Sequence, residues 1–285
     1  MKSRLILVST LLATIVSSAA AEDFSKVEIK AIHVAGNIYM LSGSGGNIGV
    51  SAGPDGILLV DDQFAPLAEK IEAALKELNP GKVKFVINTH FHGDHTGGNA
   101  HFGKFASIIA QANARKRLGG QPGDSKPELP AITFGDSLSV HFNGEEIKLE
   151  HVPPAHTDSD CVIRFTGANV IHLGDTFFSG LFPNIDLRAG GDVRGYIRQV
   201  ERALRDTPPD ARLIPGHGPL STVKELREFH EMLVETSGIV QQAIDAGKSL
   251  EQVKAAGLPE KWQSWGELVP EGSWLAILYT GLKKP

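Results

Sequence analysis

The chain has 285 residues, 41% of them hydrophobic and 21% charged, which is enough for one large α/β domain or two small ones with a substantial core. Its 28 basic and 33 acidic side chains leave a net charge of −5, so it offers no electrostatic footprint for nucleic acid or an anionic membrane. A single cysteine, Cys161, excludes an intrachain disulfide and any cysteine-rich metal module, whereas 11 histidines are available as ligands.

Residues 1–21 read as a secretory signal peptide. Lys2 and Arg4 precede a short apolar stretch from Leu5 to Val16, and small residues ending in Ala19-Ala20-Ala21 stand before Glu22. The stretch is too short to span a bilayer comfortably, and no cysteine follows the cleavage point to carry a lipid. The expectation is a mature domain over 22–285, periplasmic or secreted.

After the leader, apolar runs between Gly, Asn and Pro-Asp-Gly turns predict strands over 27–35, 37–41, 47–52 and 56–61. Leu67, Ile71, Ala74, Leu75 and Leu78 recur at helical spacing, so 65–78 is predicted as a helix, stopped by Asn79-Pro80-Gly81. A buried strand over 83–88, a short helix after Thr96, a strand over 107–110 and a helix over 111–118 follow, and 119–130 is a Gly/Pro-rich loop. A second series of strands is expected over 132–134, 137–142, 145–152, 161–165 and 170–173. Helices at about 192–206 and 222–246 flank one more short strand, 212–214. Strands with helices, given twice and with no separating linker, predict an α/β fold of two sheets packed face to face with helices outside.

Directly after the strand 83–88 stands Thr89-His90-Phe91-His92-Gly93-Asp94-His95, with four ligand-type side chains in six positions. His90 and His92, two apart, would diverge on a helix but converge from an extended turn, while Asp94 and His95 can face a second position. Gly93 permits the tight backbone path that such crowding requires. Three more strand ends carry a ligand-type residue beside Gly or Pro: His156 after Pro153-Pro154, Asp175 after Gly174, and His217 between Gly216 and Gly218. Four such ends in one chain suggest one rim holding a shared site.

In motif, order and spacing this set resembles the metallo-β-lactamase superfamily, over nearly the whole chain after the leader. The resemblance implies an αββα four-layer sandwich, two mixed β-sheets face to face with helices outside, and a dinuclear metal site on one edge. His90, His92 and His156 would hold one metal, Asp94, His95 and His217 the other, and Asp175 would bridge them. Seven N and O donors without thiolate suit two Zn2+ ions, and Fe or Mn would also accept them. Asp175 at the bridging position looks more like the glyoxalase II and lactonase branches than the commonest zinc β-lactamases. Phe178, three residues on, departs from the tyrosine of the lactonases and from the basic residue of many zinc β-lactamases.

A zinc-bound water has its pKa lowered from about 15.7 to near 7, which supplies hydroxide at neutral pH, and Asp94 is expected to orient it. The expected function is hydrolysis of an activated carbonyl in a small molecule: β-lactam, thioester, lactone or ester. The alternatives are a mononuclear iron persulfide dioxygenase using His90, His156 and Asp175, and a non-catalytic periplasmic metal-binding protein. Phe177, Phe178, Phe182 and Trp274 are candidates to line an apolar pocket, with core packing expected for at least two. Cys161 reads as a small buried hydrophobe. His33, His101, His141, His151, His172 and His230 read as surface or packing residues.

Overall fold

The computed structural model describes residues 23–120 and 128–283; the leader and the middle of the Gly/Pro-rich loop lie outside the described residues. The first sheet runs in sequence order through β1 (Lys30–Ala35), β2 (Ile38–Ser42), β3 (Ile48–Gly53), β4 (Gly56–Val60), β5 (Val83–Asn88), β6 (Ser107–Gln111) and β7 (Ile132–Phe134). Short turns make β1 to β4 antiparallel, and from β4 onward the pairs are parallel. Parallel neighbours need a crossover. Here α1 (Ala68–Leu78) joins β4 to β5, α2 (Gly93–Thr96) and α3 (Asn99–Phe102) join β5 to β6, and α4 (Ala112–Gly119) leads toward β7.

The second sheet has the order β13 (Ser221–Thr222), β12 (Arg212–His217), β11 (Val170–Phe178), β10 (Cys161–Phe165), β9 (Glu145–His151), β8 (Ser137–Phe142). It is antiparallel except for β11 and β12, which α5 (Val193–Asp206) connects as parallel neighbours. The chain ends in α6 (Val223–Asp245), α7 (Leu250–Ala256), a 3-10 segment over Glu260–Gly266, and α8 (Glu271–Leu282).

The period of two along each strand sorts its side chains into separate cores. Leu58 and Val60 of β4 pack with Ile163 and Phe165 of β10 between the sheets. Ile57 and Leu59 point the other way, onto Ile71 and Leu75 of α1. Val162 and Ile171 of the second sheet meet Tyr196 and Val200 of α5, Phe229 of α6 and Trp274 of α8. These three apolar layers make a four-layer αββα sandwich with mixed sheets. Cys161 lies in the central layer, as its apolar setting suggests. Among the described residues no helix is long and apolar enough to cross a membrane.

Three local differences from the sequence reading have physical causes. β11 extends to Phe178 rather than stopping at Leu173, because the parallel pairing with β12 resumes past two register shifts around Gly174. The helix expected after Thr96 is α3, and a further helical turn, α2, precedes it from Gly93 with His92 as its N-cap. α8 escaped periodicity analysis because Trp274-Leu275-Ala276-Ile277-Leu278 is apolar nearly all round, as suits a helix buried on most sides.

Candidate metal centre

The site is built where strand ends of both sheets meet at one edge. Cys161 N–H donates to Thr89 O at 2.8 Å and Asn47 N–H to Gly216 O at 2.7 Å, which ties the rim of one sheet to that of the other. Past β5 the chain bends over residues 89–91, is extended at His92, then turns helical at Gly93. The change of backbone divides the donors: His90 and His92 face His156 and Asp175, whereas Asp94 and His95 face His217. All seven residues singled out in the sequence are therefore brought together.

In the first group, His92 Nδ1 lies 3.1 Å from His90 Nε2 and 2.9 Å from His156 Nε2. In the second, His217 Nε2 lies 3.4 Å from His95 Nε2 and 3.2 Å from Asp94 Oδ2. Asp175 stands between the groups. Its Oδ2 is 3.4 Å from His156 Nε2 and 3.8 Å from His90 Nε2, while its Oδ1 is 3.0 Å from His95 Nε2 and 3.5 Å from His217 Nε2.

The outward face of each ring explains its orientation. His90 Nδ1–H donates to Thr89 Oγ1 at 3.0 Å, and that hydroxyl donates to Asp61 Oδ2 at 2.8 Å. His95 Nδ1–H donates to the same Asp61 Oδ2 at 2.7 Å. His92 Nε2–H donates to Asp186 Oδ2 at 3.1 Å, and His156 Nδ1–H to Asn184 O at 2.7 Å. In the neutral ring the inward nitrogen is then a lone pair. Three such lone pairs crowd together in the first group with no proton left to share, and Asp175 Oδ1 is buried without a hydrogen-bond partner. This donor set fits cations at its centre.

Electrostatics agree. Burial, aided by the charge on His95, drives the His90 pKa well below its ordinary value; burial takes His156 to about 4 against the opposing pull of Asp175. Burial alone would also lower His95 and His217. The carboxylates of Asp175 and Asp94 outweigh it, holding His95 well above its usual range and His217 at about 9. Burial raises Asp94, but His95 and His217 overcome it and hold the carboxyl at about 2. Asp175 is likewise pulled far down against its burial by His95, His217, His156 and His90. Without a cation, protons on His95 and His217 answer the charge of the two carboxylates.

Spacing alone did not reveal the supporting residues. Asp61 is wholly buried in the left-handed region (φ 64°) just past β4, where a second acidic residue in Val60-Asp61-Asp62 is the available signal. Asp186, Thr89 and Tyr196, whose hydroxyl donates to Asp175 O at 2.7 Å, carry no motif. Two glycines admit the side chains: a Cβ on Gly46 would lie 2.1 Å from His95 Cε1, and one on Gly216 2.1 Å from Asp175 Oδ1. Phe177, Phe178, Phe182 and Trp274 are all buried in the core rather than lining open space, although Phe178 stacks on the His217 ring at 4.9 Å. His172 stays outside the cluster, with its Nε2 3.1 Å from Asn47 O. His33, His101, His151 and His230 likewise bond elsewhere.

Comparison with known proteins places this architecture. A family model described as "Metallo-beta-lactamase superfamily" matches residues 34–217. A hydroxyacylglutathione hydrolase of Polaromonas sp. is 31% identical over 156 residues, covering 53% of this chain and 55% of that protein. The alpha subunit of a 2,4-dinitroanisole O-demethylase from Nocardioides sp. is 28% identical over 210 residues, covering 70% and 60% respectively. The chain thus spans little more than half the length of these curated relatives. Among solved structures, a metallo-beta-lactamase from Pontibacter korlensis superposes with a TM-score of 0.62 at 16% identity, over 72% of this chain and 99% of that one. The DIM-1 metallo-beta-lactamase gives 0.62 at 19% identity, over 74% and 100%.

Proposed function

The chain belongs to the metallo-beta-lactamase superfamily, and from that premise we propose that it is a metal-dependent hydrolase of small molecules with an activated carbonyl, using two zinc ions. The observation that supports this most directly is Asp175, whose two carboxylate oxygens each face a different group of nitrogen donors. His90, His92 and His156 would hold one cation, Asp94, His95 and His217 the other, and Asp175 both. A single-metal site made of His90, His156 and Asp175 would leave the second group, with its own carboxylate and two imidazoles, without a role.

Bound cations would supply Lewis acidity, polarising the carbonyl and lowering the pKa of a water. The protein contributes orientation. Asp94 is 26% exposed against 5% for Asp175, so it is the carboxylate of the cluster that faces incoming substrate and water. Held at about 2, it stays anionic at neutral pH and accepts a hydrogen bond from the attacking water without keeping its proton. Phe178 covers the His217 ring and closes that side to solvent. The buried hydroxyls of Ser159 and Ser179 bond to Thr157 and Ser221 rather than to a histidine ring, so neither serine is paired with a base.

Elemental analysis of the purified chain should give two zinc ions. A panel of a chromogenic β-lactam, a thioester, a lactone and an ester should show chelator-sensitive hydrolysis with no protein-bound acyl adduct by mass spectrometry. A saturated chain holding one ion or none, or a trapped acyl-serine, would overturn the proposal. The proposal includes export with removal of residues 1–21; intact mass of the secreted protein tests it, and a retained leader would refute it.

A further inference from the structure

We propose that the cleft beside His217 is a substrate subsite that selects an apolar arm ending in a cationic or neutral group and rejects anions; this rests on the hydrolase reading above. The cleft is open to solvent with a volume of about 640 Å³, within the range of small-molecule sites, and has His217 of the cluster in its wall. One side is formed by the turn after β11, with Ser179, Gly180 and Leu181, and the floor by Gly218 and Pro219 after β12. The opposite side is Glu267 and Leu268. That side belongs to the C-terminal segment, beyond residues 34–217 matched by the family model.

The wall is fixed in place. Phe182 N–H donates to Trp265 O at 2.9 Å, joining the β11 turn to the 3-10 segment. Trp265 stacks on Phe229 of α6, and Phe182 on Trp274 of α8, with interplanar angles of 7° and 14°. Aromatic stacking on both sides of this connection gives a preformed cleft, which lowers the ordering cost of binding.

Its chemistry is one-sided. Leu181, Pro219 and the 47%-exposed Leu268 offer apolar surface to a ligand in the cleft. Apart from His217, which belongs to the cluster, the charge in the lining is the exposed carboxylate of Glu267, and no Lys or Arg is among the lining residues. The chain as a whole carries −5, a field that also disfavours anions. Glutathione thioesters and β-lactams, which carry carboxylates, should therefore be the poor members of the carbonyl class.

The test uses three butyramides of one shape on the metal-loaded full chain: N-(2-trimethylammonioethyl)butyramide, N-(3,3-dimethylbutyl)butyramide and N-butyryltaurine. Amide chemical shifts should move at Gly180, Gly218 and Leu268, with affinity in the order cation, neutral, anion and steps of about two- to fivefold, the scale of an exposed charge pair. Glu267→Lys should reverse the order of cation and anion, Glu267→Gln should level it, and Leu268→Ser should weaken all three. Shifts centred elsewhere, or an order unchanged by Glu267→Lys, would overturn the subsite. The three corresponding thioesters and S-lactoylglutathione are then assayed for thiol release. Ordered binding with no turnover of any thioester or β-lactam would refute the hydrolase reading alone. Turnover without charge order or shifts in the cleft would refute the subsite alone.

Discussion

Asp61 is the residue whose replacement tests most sharply how the cluster is held. Its Oδ1 accepts Thr89 N–H at 2.7 Å, and its Oδ2 accepts both Thr89 Oγ1 and His95 Nδ1. Asp61→Asn keeps size and shape but leaves one oxygen. If the amide nitrogen faces His95, the ring must give up its Nδ1 proton and keep the one on Nε2, the nitrogen aimed at Asp175. If it faces Thr89 N–H, two donors are opposed in a wholly buried place. Either way a charge-assisted hydrogen bond of about 1.5–3 kcal/mol is lost. Converted at 1.36 kcal/mol per decade, this agrees with the 10–100-fold affinity typical of ligand-orienting partners. The group of Asp94, His95 and His217 should weaken by about that factor. The group of His90, His92 and His156, which Asp61 reaches only through the Thr89 hydroxyl, should weaken less. Competition of the metal-free chain with a chromophoric chelator for Zn2+ measures both steps, and circular dichroism checks that the variant folds. Equal loss at both steps, or a second step as tight as in the parent chain, would refute this account of Asp61.

Asp175→Asn should weaken both metal-binding steps by at least about a hundredfold, since a carboxylate facing both groups is lost rather than merely its orienting partner; calorimetric titration with Zn2+ reads this. Gly46→Ala puts a Cβ 2.1 Å from His95 Cε1; it should cost about 1–3 kcal/mol by thermal unfolding and displace His95. Trp274→Ala should cost about 3–5 kcal/mol, because the ring is fully buried and its Nε1–H donates to Thr236 Oγ1 at 3.2 Å. It should leave Zn2+ stoichiometry at two in the fraction that folds, by elemental analysis. Acidification should release the cation at Asp94, His95 and His217 first. His217, raised to about 9, is protonated throughout pH 5–8 in the metal-free chain, so each proton displaced lowers apparent affinity about tenfold per unit of falling pH. His156, depressed to about 4, competes far less over that range. Zn2+ content after dialysis at pH 5 and pH 8 checks the order of loss.

Most strand positions were legible because each element buries one or both faces and writes its period into the sequence. Ile57 and Leu59 against Leu58 and Val60 show this in four consecutive residues. The cluster was legible for a different reason: seven ligand-type side chains sit at points where apolar runs end, and two of the four runs end beside Gly216 or Gly174. Support was much less visible. Asp186 is 94 positions from His92, and Asn184 contributes only its carbonyl, which no side-chain pattern can signal. The aromatic candidates were misleading because a phenylalanine next to a ligand and one in a core look alike in sequence. Only the stacking of Phe178 on His217, and of Phe182 on Trp274, separates them.

The same distinction bears on where reactivity and selectivity reside. Every side chain of the cluster lies within residues 90–217, on or just beyond strands of the two sheets, and its orienting partners Asp61, Thr89 and Asp186 lie in or between those strands. Glu267 and Leu268 hang from a segment held by aromatic stacking on α6 and α8, with no hydrogen bond to any of the seven. A change at Asp61 must therefore act through cation affinity, whereas a change at Glu267 must act through which substrate is held. Two perturbations of single carboxylates on one chain should thus separate cleanly, one moving metal affinity with substrate order unchanged and the other moving substrate order with metal affinity unchanged.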